Sequence, residues 1–475
     1  MKKEVVSGIK WNTINQFFNL GSKFIVTVFL SRLLGPEDFG LIALVFTFTA
    51  FADNFTEGGF KNAIIQETEV NKKELSSIFF LYITVGLFLT IVIAGISPFI
   101  SYFYKQDLTL LTCIVALTYL INPLTFIHEA LMQKELLFKQ LALSQMISKT
   151  SSAIVGIGLA YAGFGVWALV WSMHTGAIMR GLMLLYQYKW IPQWHFNKLD
   201  LKKYWKVGSN VFYSGLLFNI TNRIDYLIIG KFFAPASLGM YSRAKENGFL
   251  PALIFGNIIR STFLGIYAKL KTDTEKLKKM FIETSNAIFL MIATSCFLLT
   301  MFTEEGIYLL FGPKWLPMTS MMQLFFGYVF VYSISVNRVY LLNAIGRTDV
   351  DFKLGLIFTP IRLVLLLTPV VLGLTINPYY FIGINIFFLV AGLVGFELTI
   401  NKYFAQTKYT QWHFTPIAII YGLAIVIQQS NLLNTNLDLL RKILISAITL
   451  GVVIAIYNKS FAQMWNMIYS KKIAY

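Results

Sequence analysis

Residues 219–260 read NITNRIDYLIIGKFFAPASLGMYSRAKENGFLPALIFGNIIR. The run 226–229 is apolar, a Gly-Lys-Phe-Phe-Ala-Pro turn follows at 230–235, and a second apolar segment comes after it. This is the pattern of two membrane-spanning helices joined by a tight turn. Yet the stretch carries Arg223, Asp225, Arg243, Lys245, Glu246 and Arg260. A charge facing lipid at the middle of a bilayer costs about 2.5–3.5 kcal/mol, so each of these needs a protein or water partner.

The hairpin has an earlier counterpart. Residues 30–40 read LSRLLGPEDFG and residues 229–239 read IGKFFAPASLG. Pro36 aligns with Pro235, Gly40 with Gly239 and Arg32 with Lys231, all 199 residues apart. With one residue of slip upstream, Asn19 aligns with Asn219 and Lys23 with Arg223. Two halves of about two hundred residues therefore read as copies, a common plan for secondary transporters.

Composition fixes the class. The chain has 475 residues, of which 56% are hydrophobic and 13% charged, and a mean hydropathy of +0.64. A soluble chain is about a quarter charged, so this is a polytopic membrane protein. Its net charge of +17 does not point to nucleic acid. A nucleic-acid binder gathers its cations on a soluble face, whereas here they sit in short loops between apolar runs. Cys113 and Cys296 lie inside such runs and form neither a disulfide nor a zinc framework. The N-terminal Met-Lys-Lys-Glu enters a long span without a small-residue cleavage site, so no removable signal peptide is expected.

The fold expected is all-α, with about 14 spans of some 20 residues each. Six lie near 11–33, 38–60, 77–99, 108–132, 141–161 and 164–186. Six more lie near 206–233, 238–264, 281–301, 317–344, 353–373 and 379–401, and two last ones near 413–430 and 437–457. The repeat joins the first six to the second six. Six is even, so the copies are parallel repeats about an axis along the membrane normal. Residues 1–186 form an N-terminal six-helix bundle, 187–205 a cytoplasmic linker with Trp and Tyr as interface anchors, and 206–404 a C-terminal six-helix bundle. Residues 405–475 add two helices and a tail. One set of loops holds 25 Lys and Arg residues and the opposite set 6, so both termini are expected in the cytoplasm.

The remaining nine cations fall in or near spans: Lys23, Lys149, Arg180, Arg223, Arg243, Lys245, Arg260, Arg338 and Arg362. If all faced lipid they would cost roughly 20–30 kcal/mol, more than the ~5–15 kcal/mol that holds a domain folded. Most must face protein or water. Lys149, Arg180, Arg260 and Arg362 could snorkel toward span ends. Span one places Asn12, Asn15, Gln16, Asn19, Ser22 and Lys23 on one helical face. Span seven repeats the stripe with Asn219, Asn222, Arg223 and Tyr226. A polar stripe ending in a cation, present in both copies, suits two walls of a wet cavity; the alternative is interhelical hydrogen-bond glue. Lys23, Arg223, Arg243, Lys245, Asn19, Asn219 and Asn222 are the candidate lining. Asp53 and Glu57 share a face of span two and could hold H+ or Na+, or pair structurally with cations of spans one or eight. Asp225 points away from Arg223 and is expected to pair with another span. His128 and His174 stand alone and read as structural. No catalytic triad, metal-ligand cluster or Walker-type loop is present.

Several of these residues lie in stretches that resemble a known family. Residues 31–41, SRLLGPEDFGL, then Phe51-Ala-Asp and the segment 59–66, GFKNAIIQ, are similar to the start of bacterial polysaccharide flippases. So are 222–233, NRIDYLIIGKFF, 238–244, LGMYSRA, and 163–170, GFGVWALV. These flippases export lipid-linked oligosaccharides of O-antigen, colanic-acid and teichuronic-acid type. They belong to the superfamily of multidrug antiporters and the peptidoglycan lipid flippase. The resemblance covers roughly residues 8–410; one departure is 264–269, LGIYAK, where relatives often carry a Phe-Pro pair. It implies an undecaprenyl-diphosphate-linked glycan moved from the cytoplasmic to the outer leaflet of the bacterial inner membrane. A basic cavity suits a diphosphate, since Arg and Lys make charge-assisted bonds to phosphate oxygens. Tyr213, Tyr226 and Tyr241 could line a sugar path. The implied partners are the lipid-linked oligosaccharide and the bilayer, with a polysaccharide polymerase and a chain-length regulator as candidate proteins. No nucleic acid and no cofactor are expected beyond H+ or Na+ coupling.

Two other readings compete. A multidrug antiporter of the same superfamily would favour an acidic cavity for its cationic drugs, against 9 basic and 7 acidic residues in the spans here. A membrane polysaccharide polymerase would need a large outer loop with catalytic groups, and none is long enough. The loop asymmetry generates a direct test: reporter fusions after Lys206 and after Tyr475 should both read cytoplasmic, and a periplasmic signal at either would overturn the topology.

Overall fold

In lipid the backbone can satisfy its polar groups only within itself, so an apolar chain of this length is driven to helices. The computed structural model describes residues 2–56, 60–67, 69–202, 204, 222–373, 377–403, 419–422 and 438–456, and contains no strand among them. The helices are α1 (Lys2–Leu33), α2 (Pro36–Thr56), α3 (Phe60–Gln66), α4 (Lys72–Tyr104), α5 (Thr109–Ala116), α6 (Thr118–Ile121), α7 (Pro123–Lys134), α8 (Phe138–Tyr161) and α9 (Val166–Gln187). Then come α10 over 222–232, α11 (Pro235–Gly248), α12 (Leu250–Leu270), α13 (Thr274–Met301), α14 (Thr303–Leu310) and a 3-10 segment Pro313–Met318. The last are α15 (Thr319–Ala344), α16 (Thr348–Val371), α17 (Pro378–Tyr403) and α18 (Asp438–Ile456).

A helix, whole or in part, lies on each of the fourteen expected stretches. Six helices among the described residues are long and apolar enough to cross a membrane individually, and the bent pair Thr109–Ile121 plus Pro123–Lys134 makes a seventh candidate. The chain is thus a multi-pass helical membrane protein. Three details differ from a row of plain spans. The fourth is broken, turning by 41° where Pro123 opens α7, because proline cannot continue the hydrogen-bond ladder. The eighth is divided at Phe249, with Pro251 in the first turn of α12. The 33 residues of α4 reach about 50 Å at 1.5 Å each, so it projects well beyond a ~30 Å hydrocarbon layer. Its start is capped by Asn71, whose side chain accepts from the Lys73 amide at 3.0 Å.

The chain divides into two compact units. One is Met1–Ser242 with Leu310–Lys314; the other is Arg243–Leu309 with Trp315–Tyr475.

In the first unit α8 and α9 pack through small residues. Ser148 Oγ donates to the Gly176 carbonyl at 2.7 Å, and Ser172 Oγ to the Ser152 carbonyl at 2.9 Å. A side chain at Gly156 would strike Ser172. Residues 148, 152 and 156 on α8 thus meet 176, 172 and 168 on α9, a small-residue ladder that lets the backbones approach without a hydrophobic driving force. The tightest approach is between α2 and α11. A Cβ on Gly40 would lie 1.8 Å from the carbonyl oxygen of Pro235, and one on Gly239 would lie 1.8 Å from that of Pro36. The contact is reciprocal: each glycine receives the other copy's proline carbonyl. Just before each proline a cation caps a distant helix end. Arg32 Nε donates to the Leu310 carbonyl at 3.0 Å, and Lys231 Nζ donates to the Phe103 carbonyl and sits 4.2 Å from the Phe103 ring. Cations at helix C-termini satisfy orphan carbonyls and suit the macrodipole.

The second unit is held by an aromatic core and one polar knot. Tyr267, Phe281, Leu341, Leu342 and Phe396 are buried together. Beside them Asn337 Nδ2 donates to Ser285 Oγ at 2.8 Å, and Tyr267 OH donates to Asn337 Oδ1 at 3.0 Å. The stretches of the last two expected spans attach to α13 and α14. Tyr421 stacks on Phe297 at 4.4 Å, and Lys442 on α18 pairs with Glu305 at 2.6 Å.

The glycine crossing can be tested directly. Gly40→Ala and Gly239→Ala each place a methyl group on a carbonyl and should cost about 1–3 kcal/mol or more, read as a lowered melting midpoint of the purified protein in detergent. Gly21→Ala, whose Cβ meets nothing within 4 Å, should leave the midpoint unchanged or raise it. Parental melting in both crossing variants would refute the contact.

Candidate functional site

The polar stripe of α1 has Asn12, Gln16 and Lys23 exposed and Asn15, Asn19 and Ser22 half-buried. Asn19 Nδ2 donates to Asn15 Oδ1 at 3.2 Å and Ser22 Oγ to the Asn19 carbonyl at 3.3 Å. The stripe is therefore bonded along its own helix. Among the described residues Asn19 Oδ1 is buried with no hydrogen-bond partner, an acceptor in want of a donor.

Lys23 is not alone on its side of the first unit. α8 packs on α1, and α9 on α8. Lys149 of α8 lies within the electrostatic reach of both Lys23 and Arg180 of α9. Arg180 Nη2 in turn donates to Glu129 Oε2 at 2.8 Å, and Lys61 Nζ donates to Glu129 Oε1 at 2.5 Å. Glu129 of α7 thus serves two cations, Lys61 of α3 and Arg180 of α9, and Lys149 links Arg180 to Lys23 of α1. Sequence reasoning set Lys149 and Arg180 aside as cations able to snorkel. Spacing along one helix cannot reveal a cluster assembled from several; the available signal was only that they are ionised within spans.

Arg223, half-buried on α10, holds its guanidinium 5.3 Å from the Tyr226 ring, a cation–π arrangement. Its charge also acts on Asp53 of α2. Tyr119 OH donates to Asp53 Oδ1 at 2.7 Å and lies 2.6 Å from the Thr49 carbonyl. Asp53 is thus under the influence of a span-seven cation. Asp225 is fully buried and accepts from Tyr241 OH at 2.6 Å, the pairing with another span that its position required. Tyr226 and Tyr241, two of the tyrosines that could line a sugar path, are both buried, packed edge to face at 5.7 Å. They are core residues, because the Tyr241 hydroxyl is consumed by a buried carboxylate that would otherwise lack a donor.

In the second unit Arg243 Nη1 pairs with Glu246 one turn on at 2.8 Å. Lys245 is half-buried on the same helix. Asn222 is half-buried at the start of α10. Asn219, Glu57 and Tyr213 lie outside the described residues. Both span histidines serve packing: His128 Nε2 donates to the Trp190 carbonyl at 3.1 Å and His174 Nε2 to that of Ile114 at 2.9 Å. Deep in the second unit Arg338 pairs with Glu397 at 2.9 Å.

Among the described residues no group of three or more His, Cys, Asp and Glu side chains could hold a metal ion. Comparison with known proteins identifies the family. Residues 29–320 match the family described as polysaccharide biosynthesis protein. Over 415 residues the chain is 23% identical to the lipopolysaccharide biosynthesis protein WzxC of Escherichia coli (strain K12), covering 86% of this chain and 82% of that one. It is 26% identical to the teichuronic acid biosynthesis protein TuaB of Bacillus subtilis (strain 168) over 358 residues, 74% and 73% of the two chains. In fold it is similar to the lipid II flippase MurJ in an inward closed conformation, with a TM-score of 0.74, 16% identity, and 93% of this chain and 99% of that one covered.

Proposed function

The chain belongs to the polysaccharide biosynthesis protein family, and on that premise we propose that it carries an undecaprenyl-diphosphate-linked oligosaccharide from the cytoplasmic to the outer leaflet of the bacterial inner membrane. It is a multi-pass membrane transporter of the multidrug and polysaccharide exporter superfamily, not an enzyme. The observation that carries the proposal is the gathering of Lys23, Lys149 and Arg180 on three helices of one unit, with Arg223 as the repeat partner of Lys23. A diphosphate is the part of such a lipid that most needs cations: its charge cannot cross hydrocarbon unaided. Arginine grips it in two places at once and lysine as a point charge. A cationic drug would be repelled, which disfavours the antiporter reading.

In this reading the chain crosses the membrane fourteen times with both termini cytoplasmic. The two six-helix bundles rock about the matched turns at Gly35-Pro36 and Ala234-Pro235. Lys23 and Arg223 hold the diphosphate in a polar path that Asn19, Asn219, Asn222, Arg243 and Lys245 help to line. The lipid tail stays in the bilayer while the glycan passes through that wet path. Rocking shifts populations only if the ligand binds the two states differently. Asp53 supplies a means for that difference. It competes with the diphosphate for Arg223, so H+ or Na+ arriving at Asp53, with Glu57 nearby in sequence, would free the guanidinium for substrate.

The test is charge rather than size. Arg223→Lys should keep partial export, since a cation remains without its fork. Arg223→Glu should abolish export, with lipid-linked glycan accumulating on the inner leaflet, and Lys23→Glu should do the same. If Arg223→Glu inserts normally and exports at the parental rate, the cationic path is wrong. Asp53→Asn should export at a rate that no longer responds to collapse of the proton or sodium gradient. A parental response would remove Asp53 from the coupling.

A further inference from the structure

The segment after α9 is built to lie on a surface. Residues 188–202 and 204 leave a helix that can cross a membrane and run over the first turns of another, Lys72–Tyr104. The segment is strapped down. Ser76 Oγ accepts from the Gln193 amide at 2.9 Å, and Ser77 Oγ accepts from the Asn197 amide at 3.1 Å. Asp200 Oδ2 receives Ser77 Oγ at 2.8 Å and His195 Nε2 at 2.9 Å. Tyr204 OH donates to Glu74 at 2.5 Å. Trp190, Leu201 and Tyr204 are buried against Phe79, Ile78 and Ile127. This inner face accounts for one set of side chains and for Asp200, the one acid in 188–204.

The outer face has the opposite character. Trp194 is 98% exposed, Ile191 82%, Leu199 73% and Phe196 53%. Lys189, Lys198 and Lys202 are exposed among them. Four large apolar side chains with three cations, fixed against the ends of two helices able to cross a membrane, match in character the layer where acyl chains give way to headgroups. Aromatic rings and aliphatic side chains settle there, and lysines there attract anionic lipid. We propose that this strap is a binding surface for anionic phospholipid, with Trp194, Ile191 and Leu199 at the acyl boundary and Lys189, Lys198 and Lys202 on the headgroups. The bonds to Ser76, Ser77 and Glu74 keep it rigid, so little ordering is lost on binding.

The full chain would be reconstituted in vesicles in which either phosphatidylglycerol or phosphatidylcholine carries brominated acyl chains, and tryptophan quenching compared with that of Trp194→Phe. The quenching lost in Trp194→Phe isolates Trp194. It should show a preference for phosphatidylglycerol of about fivefold or more, the factor that one surface lysine supplies. The triple variant Lys189→Gln, Lys198→Gln, Lys202→Gln changes only exposed side chains, and in it the preference should fall to near unity. Absence of lipid quenching at Trp194 would overturn the proposal. So would equal quenching by both lipids that the triple variant does not alter. Shielding that rises with the protein-to-lipid ratio and ignores lipid charge would overturn it too, and would give the face to a second copy of the chain.

Discussion

Two peptide carbonyls set how close the helices of the first unit can come. The Pro36 oxygen occupies the place where a side chain at Gly239 would begin, and the Pro235 oxygen does the same at Gly40. Only glycine allows it. Proline suits the other half of the contact: it opens each helix where an amide would have no partner. With the crossing fixed, Arg32 and Lys231 fall beside the helix ends they cap. Contacts that repeat with the partners exchanged are what a two-fold relation between copies requires.

Charge is handled by grouping. Glu129 serves Lys61 and Arg180 together, Glu397 serves Arg338, and Glu305 serves Lys442. Removing a partner from such a pair leaves a charge stranded, which is costlier than never having buried it. Lys149 is placed otherwise: it feels the charge of Lys23 on one side and of Arg180 on the other. The strap beside α4 applies the same rule at the surface, turning its single acid inward and its lysines out.

Much of this was legible in the chain itself. The repeat, the helical class and the intramembrane charges are properties of residue type and spacing, and the helices fall where apolar runs predict them. The residue match between Pro36 and Pro235 was visible, but its meaning was not, because an alignment of copies does not say that they touch. The small-residue ladder from Ser148 to Gly156 lay open in the sequence at four-residue spacing, matched by Ala168, Ser172 and Gly176. Tyr226 and Tyr241 could be placed on helices but not turned: which face of a span meets a buried Asp225 is decided by a neighbouring helix. The break at Pro123 was not legible from proline alone, since Pro98, Pro360 and Pro369 lie inside continuous helices.

The reciprocal crossing also bears on how a duplicated chain ages. After a duplication each copy is free to drift, unless a residue in one is answerable to a residue in the other. Gly40 cannot gain a side chain while Pro235 keeps its place, and Gly239 is bound in the same way to Pro36. Each copy therefore polices the other at this point. Three of the matched pairs, Arg32 and Lys231, Pro36 and Pro235, Gly40 and Gly239, are positions that meet or cap a helix end across the two stretches. At these three pairs the two matching stretches hold each other still.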